Sequence, residues 1–411
     1  MNILLISDVY FPRVNGVSTS IKTFTEQLQK LGHSVHLIAP HYTKLINGDT
    51  SSENQTEEKW ITRVAARDIY FDPEDKLMKM SEVLALLPTL KLKNFDIVHI
   101  HTPFVAHFAG LKLAKLLNIP VVETYHTFFE DYLHHYLPWI PSFAARWMAR
   151  KISKYQCNQV SGIVAPSKPM LDVLRSYGVI CQADVIATGL QKSSFDAADG
   201  LAFKEKYEIA SQRPMLLYVG RVAHEKNIGF LLEMTKLLKD TVPDVLLVIT
   251  GEGPALPSLR ASVKAQAIEH NVQFIGYLDR HVELNACYKA ADIFVFASKS
   301  ETQGLVLLEA MAQGTPVVAI AELGTASILI DEQGALISTE NESEFVQKVH
   351  SLLINPQRRN EIGQAGRDYA INKWSAQVQA ERMIKFYSNV LSAHDGQGQA
   401  LVNLRVNQLK G

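Results

Sequence analysis

One arrangement of apolar and polar residues occurs twice in this chain, and it restricts the possible folds more than any other feature. Each copy has the pattern of a strand, a loop, an amphipathic helix and a second strand, which is the order of a right-handed βαβ unit. In the first copy these segments are residues 3–7, 8–17, 18–31 and 34–39, and in the second they are residues 215–219, 220–226, 227–238 and 245–249. The sequence therefore predicts an α/β protein with two doubly wound domains.

Further apolar runs extend both predicted sheets and set the domain limits. They lie at residues 96–100, 120–124 and 162–165 in the first half, and at residues 272–275, 292–296 and 316–320 in the second. A chain of 411 residues fits two domains of this size. We predict domains over residues 1–190 and 200–374, joined by a linker within 188–200. We also predict an amphipathic helix over 375–392 and a poorly ordered tail over 393–411.

Composition excludes several classes of function. The chain has 41 Lys and Arg against 42 Asp and Glu, so its net charge of -1 gives no reason to expect a nucleic-acid partner. Its 3 cysteines are too few and too scattered for a disulfide framework or a zinc site. The amino terminus lacks a basic region and a cleavage site, and no apolar run reaches the ~18 residues that would span a bilayer. We therefore expect a cytoplasmic protein whose contact with a membrane is peripheral.

Two glutamates follow the predicted strand at 292–296. Glu301 lies in the loop after the strand, where open parallel sheets bind ligands, and Glu309 lies about two turns into the next helix. Gly304 lets the backbone approach a ligand, and the amides of Gly304, Leu305 and Val306 form an anion site at the helix start. A sugar nucleotide matches this pattern, with its diphosphate on the amides, its ribose at Glu309 and its sugar at Glu301.

The stretch from Glu301 to Val318 resembles the signature of retaining, sugar-nucleotide-dependent glycosyltransferases of the GT-B fold. That signature has two glutamates separated by seven residues and a Gly-Thr-Pro-Val-Val tail. The resemblance covers almost the whole chain. It implies two facing Rossmann-like domains with a cleft between them, and a terminal helix that crosses back to the first domain.

Loops after other strands supply the remaining donor contacts. Arg221 and Lys226 place two cations beside a helix start, where a departing diphosphate needs its charge stabilised. Gly16 is in the matching loop of the first domain and permits close approach of the backbone. By resemblance this loop lies over the donor phosphates and the acceptor, while Ile275 and Tyr277 border the nucleobase.

A histidine follows the predicted strand at 120–124. His126 matches the cleft histidine of the resembled family, and its imidazole could polarise the acceptor hydroxyl or hydrogen-bond the sugar. We expect His99 and His101 to face opposite sides of their strand, which argues against a shared metal. An Asp-x-Asp motif is absent from the sequence as well, so we expect no metal and no cofactor, only the nucleotide-sugar substrate.

The stretch 141–155 predicts a helix with two unlike faces, for which Pro141 suits the first position. One face is aromatic and basic, with Phe143, Arg146, Trp147, Arg150 and Lys154. The other is small and apolar, with Ala144, Ala145, Met148, Ala149 and Ile152. An aromatic and basic face is typical of helices that bind an anionic membrane surface. The alternative is that the aromatic residues belong to the core and the cations surround them.

The same region is similar to bacterial diacylglycerol glucosyltransferases and, more broadly, to phosphatidylinositol mannosyltransferases. Residues 125–132 match the Tyr-His-Thr, two residues, Glu-Asp-Tyr segment of the former, whereas residues 186–190 depart from its Ile-Pro-Thr-Gly. The resemblance implies a hexosyltransferase that uses UDP-glucose and a lipid acceptor at the inner face of the cell membrane. Alternatives are a GDP-mannose donor, a lipopolysaccharide or soluble sugar acceptor, or a nucleotide-sugar epimerase.

Overall fold

The computed structural model describes residues 1–13, 15–42, 59–69, 72–126, 142–279, 283–299, 301 and 303–408. The chain forms two compact units. The first contains Met1–Thr188 together with Gln379–Gly411, and the second contains Gly189–Val378. Each unit is described by itself below.

The first unit is built on a seven-stranded sheet in which the strand pairs are parallel. In chain order the strands of this unit are β1 (Asn2–Ile6), β2 (Ser34–Pro40), β3 (Ile61–Val64), β4 (Ala66–Ile69), β5 (Asp72–Met78), β6 (Ile97–Ile100), β7 (Val121–Thr124), β8 (Gly162–Ala165) and β9 (Gln182–Val185). The order across the sheet is β3-β2-β1-β6-β7-β8-β9, while β4 and β5 form a separate antiparallel pair.

Helices flank this sheet. They are α1 (Gly16–Lys30), α2 (Met80–Ala85), α3 (Leu87–Lys91), α4 (Val105–Leu117), α5 (Ser142–Cys157) and α6 (Lys168–Ser176). The central strands are buried along their whole length, as expected for a parallel sheet that helices cover on both faces. One apolar cluster includes Leu4, Val98 and Leu113, and a second includes Leu5, Ile21 and Val122.

The second unit contains a six-stranded sheet, also with parallel pairs. Its strands are β10 (Met215–Val219), β11 (Leu246–Thr250), β12 (Val272–Gly276), β13 (Ile293–Phe296), β14 (Val317–Ile320) and β15 (Ala335–Ser338), in the order β12-β11-β10-β13-β14-β15. Its helices are α7 (Gly200–Lys206), α8 (Ile228–Leu238), α9 (Leu256–Ala265), α10 (Leu284–Ala290), α11 (Leu305–Ala312), α12 (Gly324–Ile328), α13 (Glu342–Leu353) and α14 (Pro356–Trp374).

The terminal helix α15 (Ala376–Gln408) belongs largely to the first unit. Its buried side chains Met383, Phe386 and Tyr387 join the apolar cluster on one face of the first sheet. Gly162 of β8 makes room for this contact, because a Cβ there would lie 2.7 Å from Phe386 Cζ. Replacing Phe386 with Ala should cost about 3–5 kcal/mol of stability.

The predicted strands are present, with shifts at several element boundaries. Helix α1 begins at Gly16, two residues before the predicted start at residue 18. The terminal helix was expected to end near residue 392, and it continues to Gln408. Residues 188–200, expected to form a linker, include a 3-10 helix at Lys192–Phe195, and Gln313 donates to the Ser194 carbonyl at 2.7 Å. Strands β3, β4, β5, β9 and β15 were not predicted, because their runs are short or lack clear alternation.

Candidate functional site

Lys226 and Glu301 form an ion pair at the centre of the second sheet's carboxyl edge. Lys226 Nζ lies 2.7 Å from Glu301 Oε2, and the two side chains are only 17% and 26% exposed. Lys226 follows β10 and Glu301 follows β13, the strands that are neighbours where the order of this sheet reverses. This reversal is the position where doubly wound sheets bind ligands. The sheet topology therefore brings together two residues that the sequence predicted separately.

The loop after β10 is held in a defined conformation. Lys226 ends a 3-10 helix at His224–Lys226, and Asn227 then adopts a left-handed conformation with φ 53°. The Asn227 amide donates to Glu340 Oε1 at 3.1 Å. Arg221, predicted to act with Lys226, lies at the exposed surface of the same loop. One exposed cation and one partly buried, paired cation thus lie on the same loop at the edge of the sheet.

The neighbouring loops pack backbone against backbone. A Cβ at Gly251 would lie 2.0 Å from the Gly220 carbonyl oxygen, so this position tolerates only glycine. Val222 N donates to the Glu252 carbonyl at 2.9 Å, which joins the loops after β10 and β11. The loop that carries Lys226 is consequently supported by its neighbour.

Helix α11 starts with the predicted glycine. Gly304 has φ 78° and ψ 45°, a left-handed conformation, and Leu305 is the first helical residue. The first amides of a helix have no acceptor within the helix, so those of Leu305 and Val306 can receive an anion. Gly324 N donates to the Glu301 carbonyl at 2.8 Å and holds the preceding loop. Thr302, which belongs to the predicted motif, lies outside the described residues.

Glu309 is buried, with 9% exposure. It is the fifth residue of α11, so it lies just over one turn into the helix rather than two. Its Oε2 accepts a hydrogen bond from the Tyr288 hydroxyl at 2.8 Å, and Tyr288 itself is fully buried on α10. Nothing in the sequence of α10 had indicated this contact. The proposed ribose contact of Glu309 stays a prediction.

Two residues were predicted beside the nucleobase. Tyr277 follows β12 and is 73% exposed, while Ile275 lies within β12 and is half-buried. An exposed tyrosine ring at a strand end is available for stacking on a base. Both residues remain predicted base contacts.

Three histidines stack at the carboxyl edge of the first sheet. The ring centroids of His99 and His101 are 4.2 Å apart, and those of His101 and His126 are 5.4 Å apart. Our expectation that His99 and His101 face opposite sides is wrong, because residues two apart in an extended chain lie on the same side. His101 Nδ1 lies 3.1 Å from His126 Nε2. Residues 127–132 of the predicted segment lie outside the described residues.

Burial keeps these histidines neutral. It lowers the pKa of His99 to about 3 and that of His126 to about 4, and it lowers the pKa of His101 well below the usual range. His99 is held on both sides, with Nδ1 2.6 Å from the Tyr387 hydroxyl of α15 and Nε2 2.7 Å from Thr124 Oγ1. The terminal helix therefore contributes a polar contact to this edge as well as apolar packing.

Asp8 is a buried carboxylate that the sequence reasoning missed. Its Oδ2 accepts hydrogen bonds from Ala106 N at 2.8 Å and from Thr102 Oγ1 at 2.9 Å, at the start of α4. Burial raises the pKa of Asp8 to about 6. The signal was available, since Asp8 is a charged residue shortly after a fully apolar strand. Asp8 therefore fixes the start of α4.

Gly16 is the first residue of α1, and a Cβ there would meet no atom within 4 Å. Asn15 caps this helix, and its Oδ1 accepts from Ser18 N at 2.9 Å. The amides of Gly16 and Val17 are consequently the ones available for a ligand at this helix start. The predicted phosphate contact of Gly16 is not tested by this geometry and stays a prediction.

The predicted aromatic and basic face of α5 is exposed. Phe143, Trp147 and Tyr155 are 76%, 62% and 65% exposed, and Arg146, Arg150, Lys151 and Lys154 are exposed beside them. The buried side of the helix consists of Ala149, Ser153, Gln156 and Cys157. Ile152 was placed on the apolar face, yet it is 39% exposed because the buried stripe follows residues 149, 153 and 156. Pro141 lies outside the described residues.

Among the described residues, no helix is long and apolar enough to cross a membrane. Within the same ranges, no three His, Cys, Asp or Glu side chains converge in a way that could hold a metal ion.

Comparison with known proteins gives consistent matches to both units. The family model described as "Glycosyl transferases group 1" matches residues 201–369, and that described as "Glycosyltransferase Family 4" matches residues 14–193. Alpha-monoglucosyldiacylglycerol synthase of Streptococcus pneumoniae is 31% identical over 408 residues, covering 97% of this chain and 88% of that protein. The protein of the same name from Acholeplasma laidlawii is 28% identical over 368 residues, covering 87% of this chain and 89% of that protein.

Among solved structures, HepE of Anabaena in complex with UDP has a TM-score of 0.74 with 14% identity, covering 95% of this chain and 100% of that one. At this identity the likeness shows the fold alone. It confirms the predicted fold class, with two doubly wound α/β domains of the GT-B type.

Proposed function

This chain belongs to the group 1 glycosyl transferases, and from that premise we propose that it transfers a hexose from a nucleotide-diphosphate sugar to a lipid hydroxyl. We take UDP-glucose as the donor and diacylglycerol as the acceptor, with retention of the anomeric configuration. The names of the two synthases support glucose and diacylglycerol. The observation that carries the donor half of the proposal is the Lys226–Glu301 pair at the reversal point of the second sheet.

In this reaction the bond between the anomeric carbon and the diphosphate breaks, and a bond to the acceptor oxygen forms. The acceptor hydroxyl passes its proton to an oxygen of the departing diphosphate, which offsets the negative charge that this group gains. Lys226, Arg221 and the first amides of α11 offset the charge that develops on the leaving diphosphate. Because Lys226 and the first amides of α11 are held in place before the reaction, they need little reorganisation when the charge appears.

Glu301 has two roles in this scheme. Without donor its carboxylate neutralises Lys226 at 2.7 Å, which compensates the partial burial of both charges. When the diphosphate binds, Lys226 gains a second anion, and Glu301 becomes available to accept hydrogen bonds from sugar hydroxyls. The exchange of partners couples the binding of the diphosphate to the binding of the sugar.

The exposed face of α5 supports a lipid acceptor. Arg146, Arg150, Lys151 and Lys154 lie beside the exposed rings of Phe143 and Trp147. Each cation near an anionic membrane contributes about 1 kcal/mol, and aromatic rings prefer the interface between headgroups and acyl chains. A large exposed aromatic and basic face is unusual for a protein surface that contacts only water. We propose that α5 docks the protein peripherally on the inner face of the cell membrane.

Two measurements test this function. The first is release of nucleotide and formation of glycolipid from UDP-glucose or GDP-mannose, with vesicles that contain diacylglycerol. We expect glucolipid from UDP-glucose. If only GDP-mannose supports turnover, the donor is GDP-mannose and not UDP-glucose. If product forms only on a soluble sugar, the acceptor is not a lipid. Isomerisation of the donor without any acceptor would indicate an epimerase.

The second measurement is sedimentation with anionic vesicles at two salt concentrations. Binding should weaken as salt rises, because the Debye length shortens. Arg146, Arg150 and Lys154 changed together to Glu should abolish vesicle binding while donor affinity is kept. A matched control changes the exposed Lys236, Lys264 and Lys385 to Glu, which alters net charge equally on other surfaces. Equal loss of binding in both triple variants would contradict a docking role for α5.

A further inference from the structure

The contact between His101 and His126 restricts where each ring carries its proton. The two nitrogens, His101 Nδ1 and His126 Nε2, are 3.1 Å apart, which is a hydrogen-bond distance. Both rings are neutral at neutral pH, so each has one N–H and one bare nitrogen. One of the two facing nitrogens must donate and the other must accept. The proton positions on the two rings are therefore linked.

The buried nitrogen of His101 distinguishes the two arrangements. His101 is 2% exposed, and its Nε2 has no hydrogen-bond partner among the described residues. If His126 donated, His101 would carry its proton on Nε2, and a buried N–H would lack an acceptor. If His101 donates from Nδ1, its Nε2 is a bare acceptor. Buried donors without a partner are rarer in proteins than acceptors without one, so the second arrangement is favoured.

A second histidine of the same unit has the same pattern of contacts. His107 is fully buried, and its Nδ1 lies 2.9 Å from Glu123 Oε2, a carboxylate oxygen that accepts. Its Nε2 also lacks a partner within the described residues. Two buried imidazoles of this unit thus have one ring nitrogen at hydrogen-bond distance from a side chain and the other without a partner within the described residues.

We propose that His101 is a positioning residue that donates from Nδ1 to His126 Nε2 and thereby fixes the proton of His126 on Nδ1. His126 then presents an N–H on its other side, where it has no partner among the described residues. This inference rests on the proposed function, since it assigns that N–H to an oxygen of the sugar or acceptor. His126 donates a hydrogen bond there and has no lone pair on that side with which to remove the acceptor's proton.

The first test requires no activity. In ¹⁵N spectra of histidine-labelled protein, protonated and bare ring nitrogens have distinct chemical shifts, and the signals of His126 are identified by their loss in His126→Gln. We expect a protonated Nδ1 and a bare Nε2 on both His101 and His126. A bare Nδ1 with a protonated Nε2 on His126 would overturn the proposal. This result does not depend on whether the protein transfers glucose, so the two ideas fail separately.

The second test uses two replacements of His101 by amides. The amide of His101→Asn occupies the position of Nδ1 and can still donate to His126, whereas that of His101→Gln reaches the position of Nε2. We expect His101→Asn to keep most of the activity. We expect kcat of His101→Gln to fall by about 10²-fold, which is the typical effect of losing one correctly oriented hydrogen-bond donor. The KM for UDP-glucose should change little in both.

A packing role would give another result. Gln is closer to His in volume than Asn, so if His101 only filled space, His101→Gln would be the milder change. Equal activity of the two variants, or greater activity of His101→Gln, would refute the positioning role. Thermal unfolding of each variant confirms that it is folded before the comparison is made.

Discussion

Replacing Lys226 by Ala should weaken the binding of UDP, whereas replacing Glu301 by Ala should not. The two side chains pair at 2.7 Å, and both are partly buried. Two unit charges at that distance attract by about 1.5 kcal/mol in water and about 6 kcal/mol at an effective dielectric of about 20. UDP offers Lys226 a diphosphate but has no sugar for Glu301 to bind. The two residues therefore contribute differently to the binding of UDP than to the binding of UDP-glucose.

A charge-assisted hydrogen bond contributes about 1.5–3 kcal/mol net, so Lys226→Ala should lower the affinity for UDP by about 10- to 100-fold. Glu301→Ala removes an anion that competes for Lys226, so UDP affinity should stay equal or rise. The double variant should bind UDP as weakly as Lys226→Ala. Turnover with UDP-glucose should fall by about 10²-fold in Lys226→Ala.

Calorimetric titration with UDP measures these affinities, and Lys236→Ala is the control. Lys236 is an exposed lysine in the last turn of α8, so its removal changes the net charge equally but lies away from the loop of Lys226. Wild-type UDP affinity in Lys226→Ala would refute the reasoning. So would a loss in Glu301→Ala as large as that in Lys226→Ala, because the pair would then act as one structural unit.

Four further outcomes are expected. Glu309→Ala should weaken donor binding. If its affinity for UDP-glucose equals that of the wild type, Glu309 does not contact the ribose. Activity should survive EDTA because cations and amides hold the diphosphate, and full loss restored by Mg²⁺ or Mn²⁺ would reveal a metal site. The product should keep the donor's anomeric configuration, as NMR of the new linkage can determine. Asp8 has its pKa raised from 3.8 to about 6, so its unfolded form ionises first as pH rises. The free energy of unfolding of the wild type, measured in urea, should therefore decrease by up to about 3 kcal/mol as the pH rises from about 4 to about 6. The unfolding free energy of Asp8→Asn, which cannot ionise at this position, should lack this decrease.

Sequence reasoning reached the fold, and it selected candidate residues for a donor site, for definite physical reasons. Parallel strands buried on both faces appear as continuous apolar runs, and the helices between them have a clear period, so both sheets were predicted. Ligands bind at the carboxyl ends of such strands, which directed attention to Glu301, Lys226 and His126. The error at His99 and His101 came from misapplying the period of two, not from a lack of signal.

Several features could be known only from the tertiary structure. Glu301 and Lys226 are 75 residues apart, His101 and His126 are 25 apart, and Glu309 and Tyr288 are 21 apart on different helices. The sequence determined which residues lie at the carboxyl edges of the sheets, because strand periodicity depends on local composition. It did not determine which of them touch, since that depends on strand order, loop conformation and the burial of each side chain. The neutral histidines and the raised pKa of Asp8 arise from desolvation in the folded interior, and desolvation exists only after the chain has packed.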